Sequence, residues 1–283
     1  MAKRPSGKLN YLERNVPQGM VVDAAWLREH GYSTSLRSQY VSAGWLEQPA
    51  KRVYRRPLGT LTWQLVVISL QSLLNRDLVV GGRTALELQG FAHYLPHREP
   101  EAHLYGPTPP PSWVNDLRLG ARFRYHNSKS LFDEETPSEG LARLIWNLKA
   151  NRAVGDGVVQ DSITTINWGG QDDWPLAVST PERALLELLD ELPKHESFDQ
   201  VDALIGGLAN LRPRRLQALL QRCRSVKVKR LFFFYADRHN HAWLKRIDRS
   251  AIDLGSGKRL LVRGGKYDAR YQITVPEELY GVH

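Results

Sequence analysis

A short polar segment combines the side-chain types that read base pairs in DNA. Serine, threonine, glutamine and arginine side chains can form hydrogen bonds with base edges in the major groove. The candidates are Ser33, Thr34, Ser35, Arg37, Ser38 and Gln39. A second group of side chains is cationic and can neutralise phosphates beside such a reader. Its members are Lys51, Arg52, Arg55 and Arg56. Together the two groups predict an interface with double-stranded DNA, whereas the alternative is a three-helix subdomain whose polar face only meets water.

The surrounding sequence predicts two short helices that would hold the polar group. Asp23 can cap a helix that begins at Ala24, and Gly31 can end that helix. Ser33 or Thr34 can cap the next helix, over residues 35–43. In that helix Leu36, Tyr40 and Val41 would face inward, while Ser35, Arg37, Ser38 and Gln39 would face outward.

A hairpin is predicted to follow the second helix. Gly44 would end the helix, Trp45 and Leu46 would begin a strand, and residues 53–56 would return from a tip formed by Lys51 and Arg52. A further helix is expected over residues 8–15. This order of elements predicts a winged helix-turn-helix DNA-binding domain in residues 1–58.

The charge of the chain is divided into blocks. The formal net charge is +9, and residues 1–58 hold 10 Lys and Arg against 4 Asp and Glu. Residues 59–211 hold 12 against 20, and residues 212–263 hold 15 against 3. Because a solvated surface usually mixes its signs, each basic block is a candidate for binding a polyanion.

The second basic block predicts a second surface for DNA backbone or for a partner. Its proposed members are Lys227, Lys229, Arg230, Arg238, Lys245, Arg246 and Arg249. Three alternatives stay open: contact with DNA phosphates beside the head, contact with an acidic protein or RNA, and an ordinary solvated basic face.

Residues 59–283 predict a larger mixed α/β domain. Apolar residues recur at helical spacing after Trp63, after Gly82, after Ser179-Thr180-Pro181-Glu182 and again towards Cys223. Ser179-Thr180-Pro181-Glu182 and Thr136-Pro137-Ser138-Glu139 both have the capping-box pattern, which predicts a helix start capped by a Ser or Thr side chain. Strands are predicted at residues 101–105, 122–126 and 158–168, and a terminal hairpin would join residues 259–263 to residues 270–275. Residues 226–235 fit either state and favour a helix capped by Ser225. The predicted fold class is therefore α+β, with a helix-rich second domain around a mixed sheet.

The features that resemble enzyme motifs are weak. Gly255-Ser256-Gly257-Lys258 lacks the first glycine and the final Ser or Thr of a phosphate-binding loop. His239 and His241 lack a convincing set of metal ligands, and the paired carboxylates resemble solvated helix surfaces. We therefore predict no catalytic residue, no metal, no cofactor and no enzyme activity. The single Cys223 and the absence of a signal peptide or a long apolar run predict a cytoplasmic protein without a membrane partner.

Taken in order, the head and three later motifs resemble the AbiEi family of antitoxins. These motifs are Gly81-Gly82-Arg83-Thr84-Ala85-Leu86, Ser179 to Leu185 and Val226 to Leu231, followed by Ile273-Thr274-Val275-Pro276. The resemblance implies a bacterial type IV toxin–antitoxin regulator. Such a protein would bind operator DNA, repress its own operon and counteract a nucleotidyltransferase-like toxin. The rival hypotheses are a stand-alone winged-helix regulator and a metal-dependent enzyme that cleaves nucleic acid.

Overall fold

The computed structural model is a mixed assembly of helices and strands, which confirms the predicted fold class. It describes residues 5–91, 101–132, 146–147, 152–153, 158–160, 162–168 and 174–280. The predicted helix start at Thr136 to Glu139 lies outside these residues.

The N-terminal head contains the predicted helices and hairpin in the predicted order, together with a first strand that was not predicted. They are α1 (Pro5–Asn15), β1 (Val21–Asp23), α2 (Ala24–Glu29), α3 (Thr34–Ser42), β2 (Glu47–Ala50) and β3 (Val53–Arg55). The strands form an antiparallel sheet in the order β1-β3-β2. This arrangement is compatible with a winged helix-turn-helix.

Local hydrogen bonds explain where the helices of the head begin. The Asp23 carboxylate accepts a hydrogen bond from the Trp26 amide at 2.8 Å, and the Ser33 hydroxyl accepts one from the Leu36 amide at 3.2 Å. Each bond satisfies an amide that has no partner within its helix. Gly44 follows α3 with a φ of +72°, in the left-handed region that glycine adopts at low cost. The predicted caps of α2 and α3 are therefore confirmed.

The head has a small core of its own and is also packed against the next helix. Its core side chains come from all three helices and the sheet: Leu12, Val16, Val22, Trp26, Leu27, Tyr32, Tyr40, Leu46 and Tyr54. On the other side, Met20, Val21 and Val53 join the main core of the chain. The Val21 amide donates to the Ser69 hydroxyl in α4 (Trp63–Ser72) at 3.0 Å. The head is thus fixed to α4 by apolar packing and a hydrogen bond.

A six-stranded mixed sheet lies at the centre of the remaining chain. Its order is β6-β5-β4-β11-β10-β9. The strands are β4 (Val79–Val80), β5 (Glu101–Gly106), β6 (Arg122–Asn127), β9 (Val158–Gln160), β10 (Ile163–Trp168) and β11 (Trp174–Ser179). Strand pairs β5–β6 and β4–β11 are parallel, and the other pairs are antiparallel. Two shorter strands, β7 (Trp146–Asn147) and β8 (Arg152–Ala153), pair separately.

The later helices pack on this sheet or on one another. They are α5 (Gly82–Leu88), α6 (Ser128–Leu131), α7 (Pro181–Asp190), α8 (Phe198–Gly206), α9 (Pro213–Arg222) and α10 (Val226–His239). Helix α10 begins at the predicted Ser225 cap and is buried on all sides from Val228 to Ala236. It is therefore a central helix of the core, and its sequence is apolar over most of that length.

Three local predictions are wrong. The single strand predicted at residues 158–168 is instead two antiparallel strands, β9 and β10. The terminal hairpin pairs β12 (Lys266–Asp268) with β13 (Ile273–Val275), whereas residues 259–263 contribute only an isolated bridge from Arg259 to Ile273. Helix α7 begins at the predicted place, but the Thr180 side chain forms no capping bond. Glu182 instead accepts a hydrogen bond from the Arg212 amide and pairs with Arg215.

Candidate nucleic-acid interface

The outer face of α3 presents uncharged hydrogen-bonding groups. Ser35, Ser38 and Gln39 are exposed, as predicted for side chains that read bases. Ser33 and Thr34 are also exposed, but both hydroxyls already have partners in the head. Ser33 caps the helix, and Thr34 Oγ1 accepts a hydrogen bond from Arg37 at 2.8 Å. Ser35 Oγ lies 3.0 Å from Ser33 Oγ, so Ser38 and Gln39 are the side chains most available to a ligand.

The prediction that Arg37 faces outward is wrong. Its side chain is only 8% exposed. Its guanidinium donates to the Ala24 carbonyl at 2.8 Å and lies over the Tyr54 ring, 5.8 Å from the ring centre. Arg37 occurs three residues before Tyr40 and therefore lies on the buried side of α3. It connects α3 to the start of α2 and to β3, so its role is to hold the head together.

The tip between β2 and β3 carries the exposed cations of the hairpin. Ala50 pairs with Val53, so Lys51 and Arg52 form the connection, and both are exposed. Arg52 has a φ of 65°, in the left-handed region. Its carbonyl accepts a hydrogen bond from the Ala24 amide at 2.8 Å. The tip is thereby held against the first residue of α2, close to the carbonyl that Arg37 contacts.

Arg55 and Arg56 differ from the tip residues because both are half-buried and bound within the head. Arg55 pairs with Glu47 at 2.7 Å and donates to the Gly59 carbonyl. Arg56 donates to the Glu13 carbonyl at 3.2 Å. The expectation that these two guanidiniums extend freely towards phosphates is therefore wrong, and their hydrogen bonds connect the end of the hairpin to α1 and to the loop after β3.

The prediction of a second exposed basic surface is also wrong for most of its proposed members. Lys229 and Arg230 are buried in α10, and Arg230 donates to the carbonyls of Leu254, Gly257 and Gln272. Lys227 pairs with Asp190, Arg238 with Asp202 and Arg249 with Asp237. Only Lys245 and Arg246 of the predicted set are exposed. The causes are the burial of α10, which hides Lys229 and Arg230, and the ion pairs that bind the other three cations to carboxylates; the net charge of the block reveals neither.

The exposed cations of this block instead surround a groove of about 770 Å³. Helix α9 and the residues before it supply most of the lining, with Leu211, Pro213, Ala218 and Leu219 as its apolar part. The cations at the groove are Arg212, Arg214, Arg215, Arg222 and Arg246. Arg215 is bound to Glu182, whereas the other four guanidiniums belong to exposed residues. We call this feature the arginine groove.

Two of the sequence motifs meet inside the main core. Glu187 of α7 accepts hydrogen bonds from the Gly82 amide at 2.8 Å, from Ser179 and from Arg183. A Cβ atom at Gly81 would lie 2.2 Å from Glu187 Oε2, so the close approach of α5 to α7 requires glycine. Burial raises the pKa of Glu187, and the neighbouring Arg183 opposes that effect. The contact between α5 and α7 therefore gives the motif that begins at Gly81 and the motif that begins at Ser179 a structural role.

A group of possible metal ligands has no counterpart among the sites predicted from the sequence. Among the described residues, His103, His126 and Glu191 bring one ligand atom each to within 4.8 Å of the others. The residues come from two strands and a helix end, so their spacing in sequence gives no motif. The predicted poor ligands, His239 and His241, instead lie at the end of α10 and contact Asp202 and the Ile205 carbonyl.

The comparisons with known families agree with the order of elements. A model described as the N-terminal domain of the AbiEi antitoxin transcriptional regulator matches residues 5–97. A model described as the transcriptional regulator, AbiEi antitoxin, of a type IV toxin–antitoxin system matches residues 99–276. Both descriptions define the class as a transcriptional regulator. The chain belongs to the AbiEi family of type IV antitoxin regulators, which confirms the resemblance seen in its motifs.

The fold is also similar to that of a solved structure. The crystal structure of the RV2827C protein from Mycobacterium tuberculosis matches with a TM-score of 0.52 and 16% sequence identity. The match covers 95% of this chain and 89% of that one, so the similarity extends over both the head and the larger part. No curated protein matches the chain. None of the described helices combines the length and the apolar composition needed to cross a membrane.

Proposed function

We propose that this AbiEi-family regulator binds double-stranded operator DNA through its head and represses its own operon. In this proposal α3 enters the major groove as the recognition helix of a winged helix-turn-helix. Ser35, Ser38 and Gln39 form hydrogen bonds with base edges, and Lys51 and Arg52 contact the phosphates alongside.

The observation that supports this proposal most strongly is the separation of two exposed groups on one rigid head. The outer face of α3 is polar and uncharged, while the hairpin tip is cationic. The Arg52 carbonyl and the Arg37 guanidinium both bind the first residue of α2, so the tip and α3 are fixed to the same point. Such a head would derive sequence preference from α3 and affinity from the tip.

We further propose that the larger part of the chain counteracts a nucleotidyltransferase-like toxin. The support for this step is membership of an antitoxin family, because the described residues identify no toxin-binding motif. The protein would then act as a regulator and not as an enzyme. The arginine groove is a second candidate for polyanion contact, and we assign it to DNA backbone beyond the operator bases.

The DNA-binding proposal is tested by mobility shift of the full chain on the DNA upstream of its own gene. The double variant Ser38→Ala, Gln39→Ala should abolish the specific shift without changing thermal unfolding, because both side chains are exposed. Asn10→Ala, which removes an exposed polar group on α1, is the matched control and should bind normally. Specific binding that survives in the double variant would contradict the proposed role of α3.

Co-expression separates the antitoxin from its rivals. In this proposal a neighbouring gene encodes a nucleotidyltransferase-like toxin. The full chain should rescue growth against that toxin, and the Ser38→Ala, Gln39→Ala variant should rescue growth equally while losing repression. A stand-alone regulator would repress without rescuing growth. Metal-dependent degradation of labelled DNA or RNA by the purified chain would instead support the enzyme. The full chain is used because removing the head would expose the apolar surface of α4.

A further inference from the structure

A buried polar cluster connects two parallel strands to the end of α7. In the pairing of β5 with β6, Tyr105 lies opposite His126, and His103 precedes Tyr105 by two residues. Side chains alternate along a strand, so His103, Tyr105 and His126 share one face of the sheet. Glu191, the residue after α7, approaches them on that face.

The two imidazoles and the carboxylates form a continuous chain of polar contacts. His103 Nδ1 lies 3.1 Å from His126 Nε2, and His126 Nδ1 lies 2.9 Å from Glu191 Oε1. At the other end, His103 Nε2 lies 3.6 Å from Glu101 Oε2. Each histidine thus has one ring nitrogen directed at the other histidine and one directed at a carboxylate.

Two buried oxygens in this cluster lack a partner in the part of the chain that the structure describes. They are Oε2 of Glu191, a residue that is only 6% exposed, and the hydroxyl of Tyr105. A buried polar atom without a hydrogen bond costs about 1–3 kcal/mol, so such atoms often mark a bound water or ion. The free oxygen of Glu191 belongs to the same residue that contacts His126, which makes an ion the simpler explanation.

We propose that His103, His126 and Glu191 bind a divalent transition-metal ion, and that Zn²⁺ fits this set best. Two imidazole nitrogens and one carboxylate are a common protein ligand set for Zn²⁺, with water in the fourth position. Mg²⁺ and Ca²⁺ prefer sets made entirely of oxygen ligands. The ligand atoms lie within 4.8 Å of one another, so small side-chain rotations would bring them around one ion.

The residues around the three ligands are suited to orient them. Histidine ligands of zinc usually donate their second ring N–H to a carboxylate. Glu101 Oε2 lies 3.6 Å from His103 Nε2, so a small shift would let it accept that hydrogen bond. Glu101 is in turn held by Arg124, which neutralises part of its charge and also contacts His195 at the rim. The Tyr105 ring stacks on the His126 ring with 4.5 Å between ring centres. An ion here would tie β5, β6 and α7 together.

The site is tested by titrating the full chain, first stripped with a chelator, with ZnCl₂ in a calorimeter. We expect one ion per chain. At a free zinc concentration of about a hundred times Kd, the melting temperature should rise by roughly 5 °C or more. Titration of the unmutated chain with CoCl₂ should give the visible absorption of a nitrogen-ligated ion. The absence of stoichiometric zinc binding, or of that absorption, would overturn the proposal.

Variants locate the ion. His126→Gln and Glu191→Gln should each weaken zinc binding by more than about a hundredfold, and Glu101→Gln by about tenfold, because it removes an orienting group rather than a ligand. The matched control is His239→Gln, which removes a histidine that also contacts a carboxylate, Asp202, at 2.7 Å. The control should bind zinc normally. Equal binding in His126→Gln, or loss of binding in His239→Gln, would place the ion elsewhere.

Discussion

Replacing Arg37 tests whether this residue stabilises the fold of the head or contacts DNA. Arg37→Ala removes guanidinium hydrogen bonds to the Ala24 carbonyl and to Thr34 Oγ1, both at 2.8 Å. Hydrogen bonds made by charged groups contribute about 1.5–3 kcal/mol each. The contact with Tyr54 adds roughly 0.5–1 kcal/mol. Part of this gain is offset because burying and ordering an arginine side chain is itself unfavourable.

The expected net loss for Arg37→Ala is about 2–3 kcal/mol in the free energy of unfolding. For a chain of this size that loss lowers the melting temperature by roughly 3–5 °C. Gln39→Ala, an exposed change on the same helix, should stay within about 0.5 kcal/mol of the unmutated chain. Thermal unfolding followed by circular dichroism measures both variants.

Arg37→Lys completes the test because it retains the charge and loses the planar fork of the guanidinium. One ammonium cannot reproduce the contacts of Arg37 with the Ala24 carbonyl, Thr34 and Tyr54, so this variant should also unfold earlier. The slope of log K against log salt for DNA binding should be the same in Arg37→Lys as in the unmutated chain. The reasoning is refuted if Arg37→Ala unfolds like the unmutated chain yet loses operator binding, since Arg37 would then act on DNA and not on the head.

Other parts of the structure give three further predictions. Arg214→Glu with Arg246→Glu in the arginine groove should reduce the slope of log K against log salt by about 0.9 for each phosphate that the groove no longer neutralises, and an unchanged slope would assign the groove to another partner. Gly81→Ala should lower the free energy of unfolding by about 1–3 kcal/mol or more, because the added Cβ would lie 2.2 Å from Glu187 Oε2. Gly7→Ala is the control and should be nearly neutral, because there is open space around Gly7. Equal unfolding of the two variants would contradict the clash. Burial raises the pKa of the Cys223 thiol to about 11, so iodoacetamide at pH 8 should modify this cysteine only after denaturation, and rapid labelling of the folded chain would show that the site opens.

Local signals in the sequence predict much of the head correctly. Asp23 and Ser33 cap their helices through their own side chains, and Gly44 ends α3 with a positive φ. These features depend on residues a few positions apart, which is why they can be read from one sequence. The helix at residues 226–239 is predictable for the same reason, from its Ser225 cap.

The errors concern charged side chains whose partners are distant in sequence. Arg37 was predicted to lie on the outer face because cations are usually exposed. Its position three residues before Tyr40 in fact places it on the inner face of α3. The buried Arg230 donates hydrogen bonds to the carbonyls of Leu254, Gly257 and Gln272. No residue close to Arg230 in sequence indicates these contacts. Net charge therefore overestimates the second basic surface.

The candidate metal site could not be predicted for a related reason. Strands β5 and β6 are both expected from their sequences, but their parallel pairing and register bring His126 beside His103. Glu191 comes from the end of a helix far along the chain. A cluster assembled by strand register and helix packing leaves no fixed spacing of ligands in the sequence.

The most direct test of the central claim is the ratio of affinity for operator DNA to affinity for a scrambled duplex, measured by fluorescence anisotropy. Ser38→Ala with Gln39→Ala should bring this ratio close to that of non-specific binding, with affinity for the scrambled duplex unchanged. Lys51→Gln with Arg52→Gln should weaken both duplexes alike and keep the ratio, because phosphate contacts carry no sequence information. A ratio that survives removal of the α3 side chains, or disappears with the tip charges, would contradict the account.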